Sequence, residues 1–101
     1  MSYKVIIHPE AEKEYLDACN WYEQETTGLG QRFKAAVFKQ LEQIDKNPEN
    51  YSKKDGRYRE SRTEIFPYVI VYTLNKSRNL IYVSAIYHTS RNPVKKYRRP
   101  L

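Results

Sequence analysis

The residues of this sequence that could carry chemistry lie in its second half and suit a phosphate group. Metal-independent cleavage of RNA needs a base for the 2′-hydroxyl proton, cations for the phosphorane and an acid for the leaving oxygen. The residues available for these roles are Arg59, Arg62, His88, Arg91 and Tyr97. His88 is the candidate acid or base, and Arg59 and Arg91 are the candidate phosphate clamps.

A structural interpretation of the same residues competes with the catalytic one. In it, His88 ends a strand and hydrogen-bonds the backbone, while the arginines contact solvent or a protein partner. Lys53 and Lys54 lie in a polar segment of the same half and would add positive charge in either case. The residue types alone leave both interpretations open.

Several other kinds of site are excluded by residue spacing. His8 and His88 are far apart in the chain and Cys19 is the single cysteine, so we expect no metal site and no internal disulfide. A lone cysteine also fits a reducing cytoplasm. Gly28 and Gly30 are not followed by the Gly-Lys-Ser/Thr signature of a phosphate loop, and we expect no cofactor.

Positive charge is concentrated in the second half of the 101-residue chain. Residues 1–50 hold 6 Lys/Arg and 9 Asp/Glu, whereas residues 51–101 hold 12 Lys/Arg, 3 Asp/Glu and 7 of the 10 tyrosines. Such a half suits an acidic partner, either a nucleic acid or an acidic protein segment. The length predicts one domain over residues 1–101, and no apolar run reaches the ~20 residues of a membrane span.

The first half of the chain predicts a strand followed by a helical hairpin. Alternating apolar residues predict a strand over 3–8. Apolar residues at helical spacing predict a helix over 9–24 and a second helix that begins at Leu29 and is ended by Asn47-Pro48. The glycines between the helices predict a tight turn, so the helices should lie antiparallel. Trp21 points off the apolar stripe of the first helix. Its position allows it to flank the core or to contribute to a partner surface, and we expect it to pack beneath a loop.

The second half predicts three strands. A polar loop over 49–56 precedes strands predicted over 57–65, 68–74 and 80–88, and a basic tail follows from residue 89. Strict alternation would divide the last strand into two faces. The element order is therefore β-α-α-β-β-β, an α+β fold with the helical hairpin packed on one face of an antiparallel sheet. The first strand can join at an edge or between later strands.

Several short runs, taken in their order, resemble those of a known family. They are IDKNP at residues 44–48, Tyr58-Arg59, FPYVIVY at 66–72 and HTSRNP at 88–93. In order and spacing the chain is similar to toxins of the RelE/ParE superfamily of type II toxin–antitoxin systems. The closing H-x-x-R-x-P run resembles the ParE-like, or plasmid-stabilisation, branch.

The resemblance implies an α+β fold and a cognate antitoxin that wraps the toxin. ParE-like members inhibit DNA gyrase and are not known as enzymes, whereas RelE-like members are ribosome-dependent mRNA endonucleases with basic residues and a tyrosine or histidine at the active site. Arg59 and Arg91 match recurrent arginines of the family, and His88 matches the histidine of the ParE-like ending. Tyr97 stands where a tryptophan is frequent.

The leading hypothesis is therefore a growth-inhibiting ParE-like toxin that binds a target such as DNA gyrase. An acidic, partly disordered antitoxin would fold onto the hairpin and the basic sheet. One alternative is a RelE-like endoribonuclease that uses Arg59, His88, Arg91 and Tyr97. Another is a binding module without toxic activity.

Overall fold

Two helices cover one face of a five-stranded sheet in the computed structural model, which describes residues 3–90. In chain order the elements are β1 (Lys4–Ile7), α1 (Pro9–Glu25), α2 (Leu29–Lys46), β2 (Lys53–Asp55), β3 (Tyr58–Arg62), β4 (Tyr68–Asn75) and β5 (Leu80–His88). The predicted α+β class and the helical hairpin on one face are confirmed.

The start of α1 is fixed by His8 and Pro9. The His8 ring atom Nδ1 accepts a hydrogen bond from the backbone N–H of Glu10 at 3.0 Å, which satisfies one of the unpaired donors of the first turn. Pro9 stands at the first helical position, where a missing N–H costs nothing. Ala11 and Ala18 are then buried one above the other against the sheet.

The turn between the helices depends on Gly28, Gly30 and Glu23. Gly28 has φ 88°, which favours glycine, and a Cβ on Gly30 would lie 2.6 Å from the Cys19 carbonyl oxygen. The Glu23 carboxylate accepts hydrogen bonds from the N–H groups of Gly28 at 2.8 Å and Gly30 at 3.0 Å. One acidic side chain of α1 therefore caps the start of α2.

The strand order is β1-β5-β4-β3-β2, which places β1 at an edge. β1 runs parallel to β5, so the expectation of a wholly antiparallel sheet was wrong for this pair and the sheet is mixed. Two parallel strands need a long connection between them. Here the helical hairpin and strands β2 to β4 form the connection from β1 to β5. The predicted loop over 49–56 contains the short strand β2, which pairs with β3 across a turn at Gly56, φ 59°.

A bulge at Ser84 changes the two faces of β5. Val71 pairs with Ala85 and Tyr72 pairs with Val83, so Ser84 has no residue opposite it. As a result Ile81, Val83 and Ile86 all join the helix-facing core, together with Ile70 and Tyr72 of β4, and the predicted strict alternation was wrong beyond Val83. A second apolar cluster, formed by Val69, Val71, Ala85 and Tyr87, lies on the other face of the sheet.

Neither helix within residues 3–90 combines the length and the apolar content needed to cross a bilayer.

Candidate functional site

A cavity of about 560 Å³ lies between α1 and the ends of β4 and β5. Its lining includes acidic, aromatic and hydroxyl groups together with one imidazole. These are carried by Glu14, Asp17, Trp21, Tyr68, His88 and Ser90. This cavity contains His88, a candidate acid or base of the sequence analysis.

His88 is held by its neighbours in sequence and across the sheet. Its Nδ1 accepts a hydrogen bond from the backbone N–H of Ser90 at 3.0 Å, and the Ser90 Oγ lies 2.8 Å from the same atom. The edge of its ring meets the ring of Tyr68, its partner on β4, at a centroid distance of 5.4 Å. Because Nδ1 accepts from the backbone, the neutral ring carries its proton on Nε2.

The wall of the cavity opposite His88 is acidic. β1 pairs with β5 only from Leu80 to Val83, and beyond that point Glu14 of α1 reaches the strand. The Glu14 Oε1 atom accepts a hydrogen bond from the N–H of Ile86 at 3.2 Å. With Asp17 on the same helix, the described lining holds two carboxylates and no lysine or arginine.

Trp21 forms the rim of this cavity and is 57% exposed. The expectation that it packs beneath a loop was wrong. Its ring stands edge-on to Tyr22 at 5.2 Å, and Tyr22 takes the position on the core stripe. Residues next to a core position on a helix project about 100° away from it, which brings Trp21 to the surface.

Arg59 lies elsewhere and makes structural contacts. Its guanidinium donates hydrogen bonds to the carbonyl oxygens of Tyr51 at 2.6 Å and Glu49 at 3.2 Å. These bonds fasten the segment between α2 and β2 to the sheet. Lys53 and Lys54 are exposed on β2, at the edge of the sheet remote from β5.

The structure does not bring Arg59 and His88 together. Arg59 is opposite Tyr72 on β4, whereas His88 is opposite Tyr68. The four-residue offset is about 13 Å along the strand, and the two residues also stand on opposite sides of β4. Arg91 and Tyr97, the other two candidates, lie outside the described residues.

A buried polar network beneath Arg59 was missed by the sequence analysis. The Gln40 amide on α2 donates hydrogen bonds to the Ser61 hydroxyl on β3 and to the Tyr51 hydroxyl at 3.1 Å. The signal for it was present, because Gln40 is a polar residue at a core-facing position of an amphipathic helix. Such a residue needs buried partners.

The sheet face away from the helices is apolar at its centre. The two central strands, β4 and β5, contain no lysine or arginine. On this face the Tyr87 hydroxyl donates to the Glu60 carboxylate at 3.1 Å, and burial, with the Glu60 charge as the second cause, raises the pKa of Tyr87 to about 12. Within residues 3–90, no three His, Cys, Asp or Glu side chains gather closely enough to hold a metal ion.

The architecture is that of RelE toxins. The isolated E. coli RelE toxin matches with a TM-score of 0.65 and 17% identity, over 92% of this chain and 90% of that one. A double-arginine mutant of E. coli RelE, in complex with an antitoxin RelB peptide, matches with the same score and identity over 100% of both chains. RelE in the archaeal RelE–RelB complex from Pyrococcus horikoshii OT3 matches with a TM-score of 0.55, 16% identity and 91% and 100% coverage.

The sequence itself matches the family described as the ParE toxin of the type II toxin–antitoxin system, parDE, over residues 5–93. The chain therefore belongs to the ParE toxin family, within the RelE/ParE superfamily. No curated protein sequence matches it.

Proposed function

We propose that this toxin arrests growth by binding a target protein, DNA gyrase, and that a cognate acidic antitoxin neutralises it in the cytoplasm. The observation that carries the proposal is that, among residues 3–90, the lining of the His88 cavity has two carboxylates and no lysine or arginine, in a member of the ParE toxin family. Gyrase is the target that the family resemblance implies.

The carboxylates of the described lining oppose an RNA phosphate. Glu14 and Asp17 would repel a phosphate in this cavity, whereas phosphoryl chemistry requires positive charge there. Arg59 does not offset these two charges, because it stands about 13 Å further along the sheet, where its guanidinium donates to two backbone carbonyls.

The proposed antitoxin contact uses the exposed cations of the second half. Within residues 51–90 the exposed cations are Lys53, Lys54, Arg57, Arg62, Lys76 and Arg78. An acidic segment that folds on binding would pair with several of them, and the salt dependence of its affinity would report that pairing. The E. coli RelE structure with a RelB peptide is a parallel within the superfamily.

The experiment follows plasmid topology in cells. Induction of the toxin without its antitoxin should relax plasmids as growth stops, because inhibited gyrase no longer introduces negative supercoils. Co-expression of the antitoxin should restore both supercoiling and growth. Plasmids that keep their normal supercoiling in arrested cells would contradict the gyrase proposal.

A RelE-like endoribonuclease is the second candidate, favoured by the position of His88 in an open cavity beside Tyr68 and Ser90. Primer extension on translated mRNA after induction would then show new 5′ ends that disappear in His88→Ala. A third candidate, a binding module without toxicity, predicts normal growth on induction without the antitoxin.

A further inference from the structure

The outer face of the helical hairpin carries two large apolar side chains, one from each helix. Leu16 on α1 and Phe38 on α2 are each 49% exposed. Each stands five residues along its helix from a buried core residue, Ala11 or Phe33, and five residues turn a helix by about 140°. Both side chains therefore project on the side of the hairpin that faces away from the sheet.

Leu16 and Phe38 flank the seam between the two helices. The ring of Tyr15, the residue before Leu16, lies 6.3 Å from the Phe38 ring, centroid to centroid. Cys19 on α1 is level with Gly30 on α2, because a Cβ on Gly30 would lie 2.6 Å from the Cys19 carbonyl oxygen. The two apolar side chains are thus neighbours across one seam rather than separate features of two helices.

Two oppositely charged residues complete this surface. Counted from the level of that close contact in antiparallel helices, Glu12 on α1 stands beside Phe38 to within a residue. Lys34 on α2 stands beside Leu16 in the same way, and its ammonium nitrogen lies 5.9 Å from the centre of the Phe38 ring. Both charged residues are exposed, and neither has a salt-bridge partner within residues 3–90. These four residues (Glu12, Leu16, Lys34 and Phe38) are called the hairpin patch below.

The hairpin patch is complementary to itself. Its apolar residues occupy one diagonal, and its opposite charges occupy the other. When two patches meet around a two-fold axis along the apolar diagonal, Leu16 and Phe38 pack near their own copies. Glu12 of each subunit then meets Lys34 of the partner subunit, and the symmetry makes this contact twice.

We propose that the hairpin patch joins two copies of this chain, with their helical hairpins crossed face to face. The charge of α1 favours a second copy over an acidic occupant. This helix holds six Asp/Glu and one Lys, which would repel a nucleic acid or an acidic antitoxin segment laid along it. The inference does not depend on the target of the toxin.

The size of the hairpin face sets the strength of this association. α1 and α2 have 17 and 18 residues and are about 26 Å long, and two helices about 10 Å wide present a flat area of about 500 Å². A standard specific interface buries about 800 Å² per partner. We therefore expect a reversible dimer with an affinity in the micromolar range, weakened by added salt.

The test is sedimentation velocity of the purified full chain over a range of concentrations spanning the micromolar. The wild type should shift from monomer to dimer as concentration rises. Replacing both apolar residues, by Leu16→Ala with Phe38→Ala, should raise the Kd of the dimer by about tenfold or more. Trp21→Ala is the matched control, because Trp21 is also exposed on α1, at 57%, but lines the His88 cavity. This variant should dimerise like the wild type.

Charge reversal tests the two-fold arrangement itself. Glu12→Lys alone and Lys34→Glu alone should each weaken the dimer, because each places like charges opposite one another in the two symmetric contacts. The protein that carries both changes should regain the wild-type Kd to within about twofold, since every contact again joins opposite charges. Restoration by a second charge change is not expected of a variant that merely folds poorly.

Four results would overturn the inference. These are a wild type that stays monomeric throughout, an apolar double variant that dimerises as tightly as the wild type, a Trp21→Ala variant weakened as much as the apolar double variant, and charge reversals that fail to compensate. If the apolar double variant instead loses affinity for the antitoxin while the wild type is monomeric, the patch is the antitoxin's site and the inference fails. None of these results bears on the proposed inhibition of gyrase, and normal gyrase activity would leave the dimer intact.

Discussion

The Tyr72 hydroxyl donates a 2.6 Å hydrogen bond to the carbonyl oxygen of Pro48, and both residues are buried. This bond ties the centre of the sheet to the segment that follows α2. Tyr72→Phe should leave the Pro48 carbonyl without this donor and lower the free energy of unfolding by about 1–3 kcal/mol. Urea denaturation of the two proteins would measure the loss.

Tyr15→Phe is the natural comparison for that variant. The Tyr15 hydroxyl is buried beside the Cys19 thiol and, among the described residues, finds no hydrogen-bond partner of ordinary geometry. Burial raises the pKa of Tyr15, with the neighbouring Cys19 thiol as a smaller cause. Its removal should leave stability unchanged or raise it, and a loss as large as that of Tyr72→Phe would contradict this account of the two hydroxyls.

Arg59→Ala tests whether this arginine is structural or catalytic. The variant frees the Tyr51 and Glu49 carbonyls and should lower the free energy of unfolding by about 1–3 kcal/mol, since hydrogen bonds from a charged donor are strong. Arg62→Ala, an exposed change on the same strand, should stay within about 0.5 kcal/mol. Lost toxicity at unchanged stability would instead identify Arg59 as a functional cation.

Gly30→Ala tests the close contact of the two helices. The new Cβ would lie 2.6 Å from the Cys19 carbonyl oxygen, which is backbone and cannot rotate away. The helices would have to separate, at a cost of about 1–3 kcal/mol. Gln31→Ala, at the neighbouring exposed position of α2, should be nearly neutral when both are compared by thermal unfolding. Equal stability of the two variants would refute the contact.

Alkaline pH should destabilise the toxin through Tyr87. Its pKa is about 12 in the folded protein and about 10 for an ordinary tyrosine, as in the unfolded chain, so the folded state favours the neutral phenol. The stabilisation is complete below pH 10 and is lost as pH rises towards 12. The unfolding midpoint measured from pH 8 to pH 12 should fall above pH 10, and less steeply in Tyr87→Phe. Identical slopes in the two proteins would contradict this assignment.

The helices and the two central strands could be predicted because their periodicity is local. The predicted helix over 9–24 and strand over 80–88 agree with α1 and β5 to within a residue at each end. The bulge at Ser84 could not be predicted, since a serine fits the alternation of a regular strand equally well. The parallel pairing of β1 depends on contacts between residues about 76 positions apart in the chain, such as Lys4 and Leu80. The sequence near β1 therefore does not indicate its partner strand.

Residue types predicted the candidate site, and the structure corrected which of these residues lie near one another. An arginine side chain suits a phosphate, but the Arg59 guanidinium donates its hydrogen bonds to the backbone carbonyls of Tyr51 and Glu49. The residue type alone does not reveal these partners. The carboxylate of Glu14 near His88 was equally hidden, because it depends on how α1 crosses the open edge of β5.

The proposed inhibition of gyrase by direct binding is tested most sharply with purified components. Gyrase is incubated with relaxed plasmid, ATP and increasing concentrations of toxin. The negatively supercoiled product is then measured by gel electrophoresis. We expect a dose-dependent loss of supercoiling that the antitoxin reverses. Full supercoiling in excess toxin, from a preparation that still arrests growth when expressed, would contradict it.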